Sequence, residues 1–381
     1  MIKLTGALLA LPDGLEKKDL YINDRYLSFQ GEETETLDVS DSYIFPGFID
    51  IHSDYIEHMA APRPTSLMDL KLSLLEAERE LLLHGITTMF HSLSLYKEDV
   101  FEHKPIRKPD NVRTLMGLIK ESHGGDHLLR HRLHARFEVD NLESVEAIEE
   151  ALKKGEIQLL SFMDHTPGQG QYRNIEVYKK TLKGYRDLDD ETFNTILEAS
   201  QKKTKLSLEK IEAIIRLAKE HGVPVASHDD DSEEKVSLMR DLGCTISEFP
   251  ITLEAATKAK ENQYVAMGAP NILLGGSHSG NLCAATAIKE GVCNILCSDY
   301  YPSSLLHAIF KMHLEKDVPL HEMVNMVTLN PALACGLKGY GALKEGYIAD
   351  FLVIELIKGV PMITKVFVDG KLLLETNYRR S

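Results

Sequence analysis

Phe45-Pro46-Gly47-Phe48-Ile49-Asp50-Ile51-His52-Ser53-Asp54 is the stretch that decides the fold. An apolar run stops abruptly at two metal-ligand residue types, His52 and Asp54. On a strand, residues i and i+2 share a face, so both side chains are expected to reach one ion. Imidazole with carboxylate suits zinc, manganese or iron better than calcium or magnesium. The pair gains weight only if other strands end in the same way.

Reading outward, eight apolar segments are expected as strands: 48–52, 87–92, 133–139, 157–165, 224–228, 245–249, 272–276 and 294–299. Helical periodicity fills 67–84, 142–154, 208–221 and 279–290 between them. Strands alternating with helices in this number predict an α/β fold, a closed (β/α)8 TIM-like barrel spanning 46–342. An open α/β sheet of six or seven strands is the alternative. Short strands with turn signals occupy both ends of the chain, and 1–45 with 343–381 are expected to build one small β-sandwich. The polar stretch 168–206 after the fourth strand reads as a lid or substrate loop.

Active groups of such barrels sit at the C-terminal ends of the strands. There the sequence offers His52 and Asp54, His91, Glu138, Asp164-His165, His228-Asp229-Asp230, Glu248, Ser277-His278 and Asp299. Each has a plain structural alternative. Asp164 or Asp299 would serve as a helix N-cap, and Glu138 as an ion-pair partner of Arg136 or Arg132. As a set they resist that reading, because buried charge at one rim is costly unless it binds something. A metal site accounts for all of them, with His52, Asp54, Glu138, His165 and His228 as the ligand pool. Asp164 is the alternative to His165, since neighbours on a strand face opposite ways. Glu248 is expected behind the ligands. One or two divalent ions are expected, with zinc favoured over manganese or iron.

The chain carries 43 basic and 58 acidic residues, a net charge of −15, which argues against nucleic-acid or anionic-membrane partners. No apolar run approaches the roughly 20 residues of a membrane span. Five cysteines in apolar settings, without a Cys-x-x-Cys, fit reduced thiols in a cytoplasmic protein. Within this acidic chain, 101–136 is cationic, with Lys104, Arg107, Arg113, Lys120, Arg130, Arg132 and Arg136 among five histidines. That predicts an anionic small-molecule ligand. Arg107, Arg63 in Pro62-Arg63-Pro64, and His123 in His123-Gly124-Gly125-Asp126-His127 are its candidate contacts.

Pro46-Gly47-Phe48-Ile49-Asp50-Ile51-His52, Asn330-Pro331-Ala332 and Gly346-Tyr347-Ile348-Ala349-Asp350-Phe351 resemble the amidohydrolase superfamily. His52-Ser53-Asp54 departs from its usual His-x-His. The departure, with Met163-Asp164-His165-Thr166-Pro167-Gly168-Gln169, Gly275-Gly276-Ser277-His278-Ser279-Gly280-Asn281 and Ser298-Asp299-Tyr300-Tyr301-Pro302, resembles the subgroup serving the carbon–phosphorus lyase pathway. The resemblance implies a metal-dependent hydrolase of phosphoric anhydrides. It would cleave alpha-D-ribose 1-methylphosphonate 5-triphosphate to the 5-phosphate and pyrophosphate. It also implies Asp299 as general base, His278 on a phosphate or the leaving group, and Ser277 and Asn281 on substrate. A homodimer is expected. The rival activities are hydrolysis of an N-acyl or cyclic amide and deamination. A rival from another class is a metal-binding partner within the lyase assembly.

Overall fold

The computed structural model describes residues 1–63, 65–95, 105–168, 175, 176, 178, 179, 189–277 and 280–379. Eight parallel strands form the central sheet in sequence order: Phe48–Ser53, Ile86–Leu95, Arg130–Glu138, Leu159–Met163, Val225–His228, Ile246–Glu248, Tyr264–Gly268 and Ile295–Cys297. The ring closes at its upper rim. Asp299 N donates to His52 O (3.0 Å), and Asp54 N donates to Asp299 O (3.0 Å). The fold is therefore the expected (β/α)8 barrel.

The barrel interior follows from the two-residue period of its strands. Ile49, Ile51, Phe90, Leu159, Ala226, Ile246, Ala266 and Ile295 point inward and pack with Ala332, Ala334 and Cys335. This cluster is an apolar floor. Two residues further along, the same strand faces turn polar, giving Ser161, His228 and Glu248. Helices cover the outside, several started by a side-chain cap. Asp69 accepts from Leu72 N, Ser207 from Lys210 N, Ser232 from Lys235 N and Thr252 from Ala255 N.

The seventh strand differs from expectation. Residues 272–276 lie in and just after the helix Pro270–Leu274, and the strand is Tyr264–Gly268. Pro270 sits at the first helical turn, where its missing N–H costs nothing. Gly275 ends the helix in the left-handed conformation at φ 80°. Local backbone chemistry overrides the strand-like apolarity of Ile272-Leu273-Leu274.

Both chain ends build two further sheets. One runs Tyr26–Ser28, Leu20–Asn23, Ile2–Thr5, Glu35–Asp38; the other runs Lys371–Glu375, Val360–Val368, Phe351–Ile357, Tyr43–Pro46, Leu8–Leu11, Gly14–Lys17. Leu4, Leu20, Ile22 and Leu27 of the first meet Leu9, Ile44, Phe351, Val353 and Phe367 of the second in a shared core. The alternate residues Leu352 and Ile354 join the main barrel core. One strand thus serves two cores through its two faces. Arg130 at the start of the third barrel strand pairs with Asp350 and Asp369, tying the barrel to the six-stranded sheet. Gly47 links Tyr43–Pro46 to the first barrel strand, and a Cβ there would lie 2.4 Å from Thr87 Oγ1. Only glycine permits that approach.

Among the described residues, no helix is long and apolar enough to cross a membrane.

Candidate metal centre and active site

His52, His228 and Glu248 come together at the barrel rim, with one donor atom from each within 4.8 Å of the others. His228 and Glu248 are register partners on the fifth and sixth strands, so pairing alone sets them side by side. His52 arrives differently. Strict alternation from Ile49 and Ile51 would turn it outward. The register with the second strand slips between Asp50 and Ser53, which returns the imidazole to the interior. Its ring lies 5.0 Å from that of His134, 5.4 Å from that of His228 and 4.9 Å from that of Phe249.

Glu248 is completely buried, and neither carboxylate oxygen makes a hydrogen bond among the described residues. Its closest ionisable neighbours are His52 Nδ1 at 3.2 Å and His134 Nε2 at 3.7 Å. Burial pushes the His52 imidazole well below its ordinary pKa, aided by Arg136 and His228, and pushes His134 down to about 3. Both rings are neutral at pH 7. A buried carboxylate beside neutral imidazoles, without a hydrogen-bond donor, is costly unless a cation joins it. Two imidazole nitrogens and a carboxylate oxygen are also a zinc-type donor set. The residues present fit a divalent ion. Glu248 therefore stands among the candidate ligands instead of behind them.

The remaining candidates surround this trio. Glu138 Oε1 bonds to His165 Nδ1, and the His165 ring lies 6.2 Å from that of His228. Burial alone would lower the His165 pKa, but Glu138 outweighs it and raises it. Asp164 turns the other way, accepting from Thr166 and pairing with Lys205 Nζ at 2.7 Å. The structure thus sends only His165 of this adjacent pair toward the centre. Asp54 does not share a strand face with His52. The strand ends at Ser53, and Asp54 precedes the helix Tyr55–Ala60 with its carboxylate 3.5 Å from Arg107 Nη2.

Asp299 follows the eighth strand with φ 58°, and Asp229 and Phe249 follow the fifth and sixth with φ 51° and 53°. Left-handed backbone at non-glycine residues costs on the order of 1–3 kcal/mol each and collects at functional sites. Burial, reinforced by Asp54, pushes the Asp299 carboxyl up to about 7. Asp229 has the opposite fate: burial raises it, but His228 and His165 outweigh burial and bring it to about 2. Its Oδ2 lies 3.0 Å from His228 Nδ1. Asp230 is wholly buried, accepting from Ser227 Oγ (2.5 Å) and Ser247 Oγ (2.6 Å).

The cationic segment is not one anion-binding surface. Arg113 and Lys120 pair on the exterior with Asp110 and Glu156. Arg107 is engaged by Glu57 through Nε (2.8 Å) and by Asp54. His123 is turned from the site, its Nε2 3.0 Å from the His131 carbonyl near the start of the third strand. Arg63 is exposed on a loop. Arg132, His134, Arg136 and Glu138 alternate along the inward face of the third strand, and Arg136 Nη2 lies 3.3 Å from His228 Nε2. Arg136, counted in the sequence as one cation of the segment, and His134, counted only among its histidines, are the candidate site residues that the sequence reading did not single out. Counting back by twos from Glu138 would have found both. Ser277 and Asn281 follow the Pro270–Leu274 helix instead of ending a strand. His278, Lys104 and His103 lie outside the described residues.

The amidohydrolase family model matches residues 43–373. The alpha-D-ribose 1-methylphosphonate 5-triphosphate diphosphatase of Escherichia coli (strain K12) is 32% identical over 347 residues, covering 90% of this chain and 91% of the relative. Among solved structures, N-acetylglucosamine-6-phosphate deacetylase from Pasteurella multocida aligns at TM-score 0.66 and 11% identity, covering 98% of this chain and all of the other. Dihydropyrimidinase from Brevibacillus agri NCHU1002 aligns at TM-score 0.64 and 13% identity, covering 98% and 95%. At these identities the structural likeness establishes the fold alone.

Proposed function

The chain belongs to the amidohydrolase family, and from that premise we propose that it is a zinc-dependent diphosphatase acting on alpha-D-ribose 1-methylphosphonate 5-triphosphate. Hydrolysis itself follows from the family; the phosphoric-anhydride substrate is the proposal. The observation that carries it is the near full-length 32% identity to the Escherichia coli diphosphatase. The Arg136 side chain among the candidate ligands supports it, because an anionic phosphoryl group needs a cation at the rim.

His52, His228 and Glu248 would hold the ion, with His165, bonded to Glu138, beside His228, and Asp54 acting on Asp299. A bound divalent cation acidifies water and offsets charge on a phosphoryl oxygen. The chain's own residues do the rest. Asp299, poised near neutrality, accepts the proton of the attacking water. Water adds across the bridge between the α and β phosphates, the bridging P–O bond breaks, and pyrophosphate and the 5-phosphate leave. Arg136 orients the anion. Asp230 and Lys235 brace the fifth-strand turn, since Lys235 Nζ donates to the carbonyls of His228 and Asp229 at 3.0 Å each. His278, Ser277 and Asn281 are assigned to the substrate phosphates on the family resemblance. Arg107 orders Asp54 and Glu57 at the rim.

The test is pyrophosphate release from the ribosyl triphosphate, run beside N-acyl amides, cyclic amides and nucleobases. Turnover of an amide or nucleobase without pyrophosphate release overturns the proposed substrate. No turnover of any of them favours a purely binding role in the lyase assembly.

A further inference from the structure

Outside the barrel a second group of donors converges. Glu78 projects from the helix Leu70–Leu83, His131 from the outward face of the third strand, and His127 from the loop between them in sequence. Glu78 Oε2 lies 2.9 Å from His127 Nδ1 and 3.1 Å from His131 Nε2. One donor atom from each of the three falls within 4.8 Å of the others. His131 and His134 differ by three positions on one strand, so they face opposite sides of the barrel wall. This group is therefore distinct from the rim centre.

We propose that Glu78, His127 and His131 form an accessory zinc site that clamps the 123–129 loop to the barrel. The donor set, two imidazoles and one carboxylate, is a zinc set with a fourth position left for water. Tetrahedral zinc with bonds of roughly 2.0–2.1 Å requires donors about 3.3 Å apart. The observed 2.9 and 3.1 Å from Glu78 need a few tenths of an ångström of side-chain movement, and the His127 and His131 donors lie within 4.8 Å of each other. His131 also has the orienting partner that metal-binding imidazoles use, its Nδ1 lying 2.8 Å from His91 Nε2. His91 is fully buried and its own Nδ1 has no hydrogen-bond partner among the described residues. Leu128 N also donates to Glu78 Oε2 at 3.2 Å, so both imidazoles and the loop backbone meet at one carboxylate oxygen.

The loop packs closely against His127. His123-Gly124-Gly125-Asp126-His127 folds back tightly enough that a Cβ on Gly125 would come 3.3 Å from the His127 ring. A cavity of about 190 Å³, lined by Lys71, Glu121, Ser122 and His127 among others, opens beside His127, one of the three donors.

The test is zinc content after equilibrium dialysis of the full-length chain against zinc chloride. Wild type is expected to hold one ion more than His127→Ala, and His228→Ala is expected to retain the accessory ion while losing the rim ion. Hydrogen exchange over 123–129 should slow on zinc addition in wild type and in His228→Ala, but not in His127→Ala. Equal zinc content in wild type and His127→Ala overturns the proposal. If His127→Ala does not fold, zinc-edge anomalous scattering from wild-type crystals soaked in zinc decides. A peak between Glu78, His127 and His131 supports the site, and its absence refutes it.

Discussion

Replacing Glu248 with glutamine separates a metal ligand from a structural acid by the sign of its effect. In the metal-free protein the fully buried carboxylate has no hydrogen bond and sits 3.2 Å from a neutral imidazole nitrogen. An unsatisfied buried polar group costs about 1–3 kcal/mol, more when charged. A glutamine amide can donate toward His52 Nδ1, so Glu248→Gln should stabilise the metal-free fold by about 1–2 kcal/mol. With metal present the sign reverses. The variant loses one of three converging donors and its only carboxylate. A loss of at least about 100-fold in affinity corresponds to about 2.8 kcal/mol of binding free energy. Linkage passes that loss to stability at saturating zinc. Urea unfolding of wild type and variant, with chelator and with excess zinc, reads both arms. Destabilisation of equal size in the two conditions would mean a structural acid and refute the ligand assignment.

Three further substitutions test other parts of the account. Asp299→Asn should cut turnover by orders of magnitude while zinc content stays intact, and should remove an acid limb at or below about pH 7. Wild-type turnover in that variant excludes Asp299 as the base. Asp50 is wholly buried, and burial pushes its carboxyl up from 3.8 to about 6. A folded value above the unfolded one means stability is present below about pH 4 and lost as pH rises to about 6, a loss of about 3 kcal/mol at most. Asp50→Asn should therefore gain on wild type across that window in chelator-treated protein, and parallel pH–stability curves would contradict this. Arg130→Met strands the buried Asp350 carboxylate and should cost about 3 kcal/mol in urea unfolding. A loss under about 0.5 kcal/mol would show that this pair does not tie the barrel to the sheet.

How far the sequence could be read depended on the range of the interaction involved. Buried parallel strands announce themselves as short apolar runs and the helices as periodic segments between them, so the barrel was legible locally. The seventh strand was misplaced because Ile272-Leu273-Leu274 is as apolar as a strand. The decisive information lay at its edges, in Pro270 and Gly275. The site was harder, since its geometry depends on neighbours distant in sequence. His52 faces inward through a register slip against a strand almost forty residues away, which no period-two argument contains. Glu248 joins the candidate ligands because the sixth strand pairs with the fifth in the register that sets it beside His228. Arg107 looked available to an anion because the carboxylates that engage it, Asp54 and Glu57, lie 53 and 50 residues earlier. Charge counted along a chain says which groups must be neutralised and leaves open by what. In this barrel the opposite charges come largely from the protein itself, and the buried acid they leave uncompensated, Glu248, is where a cation has most to contribute.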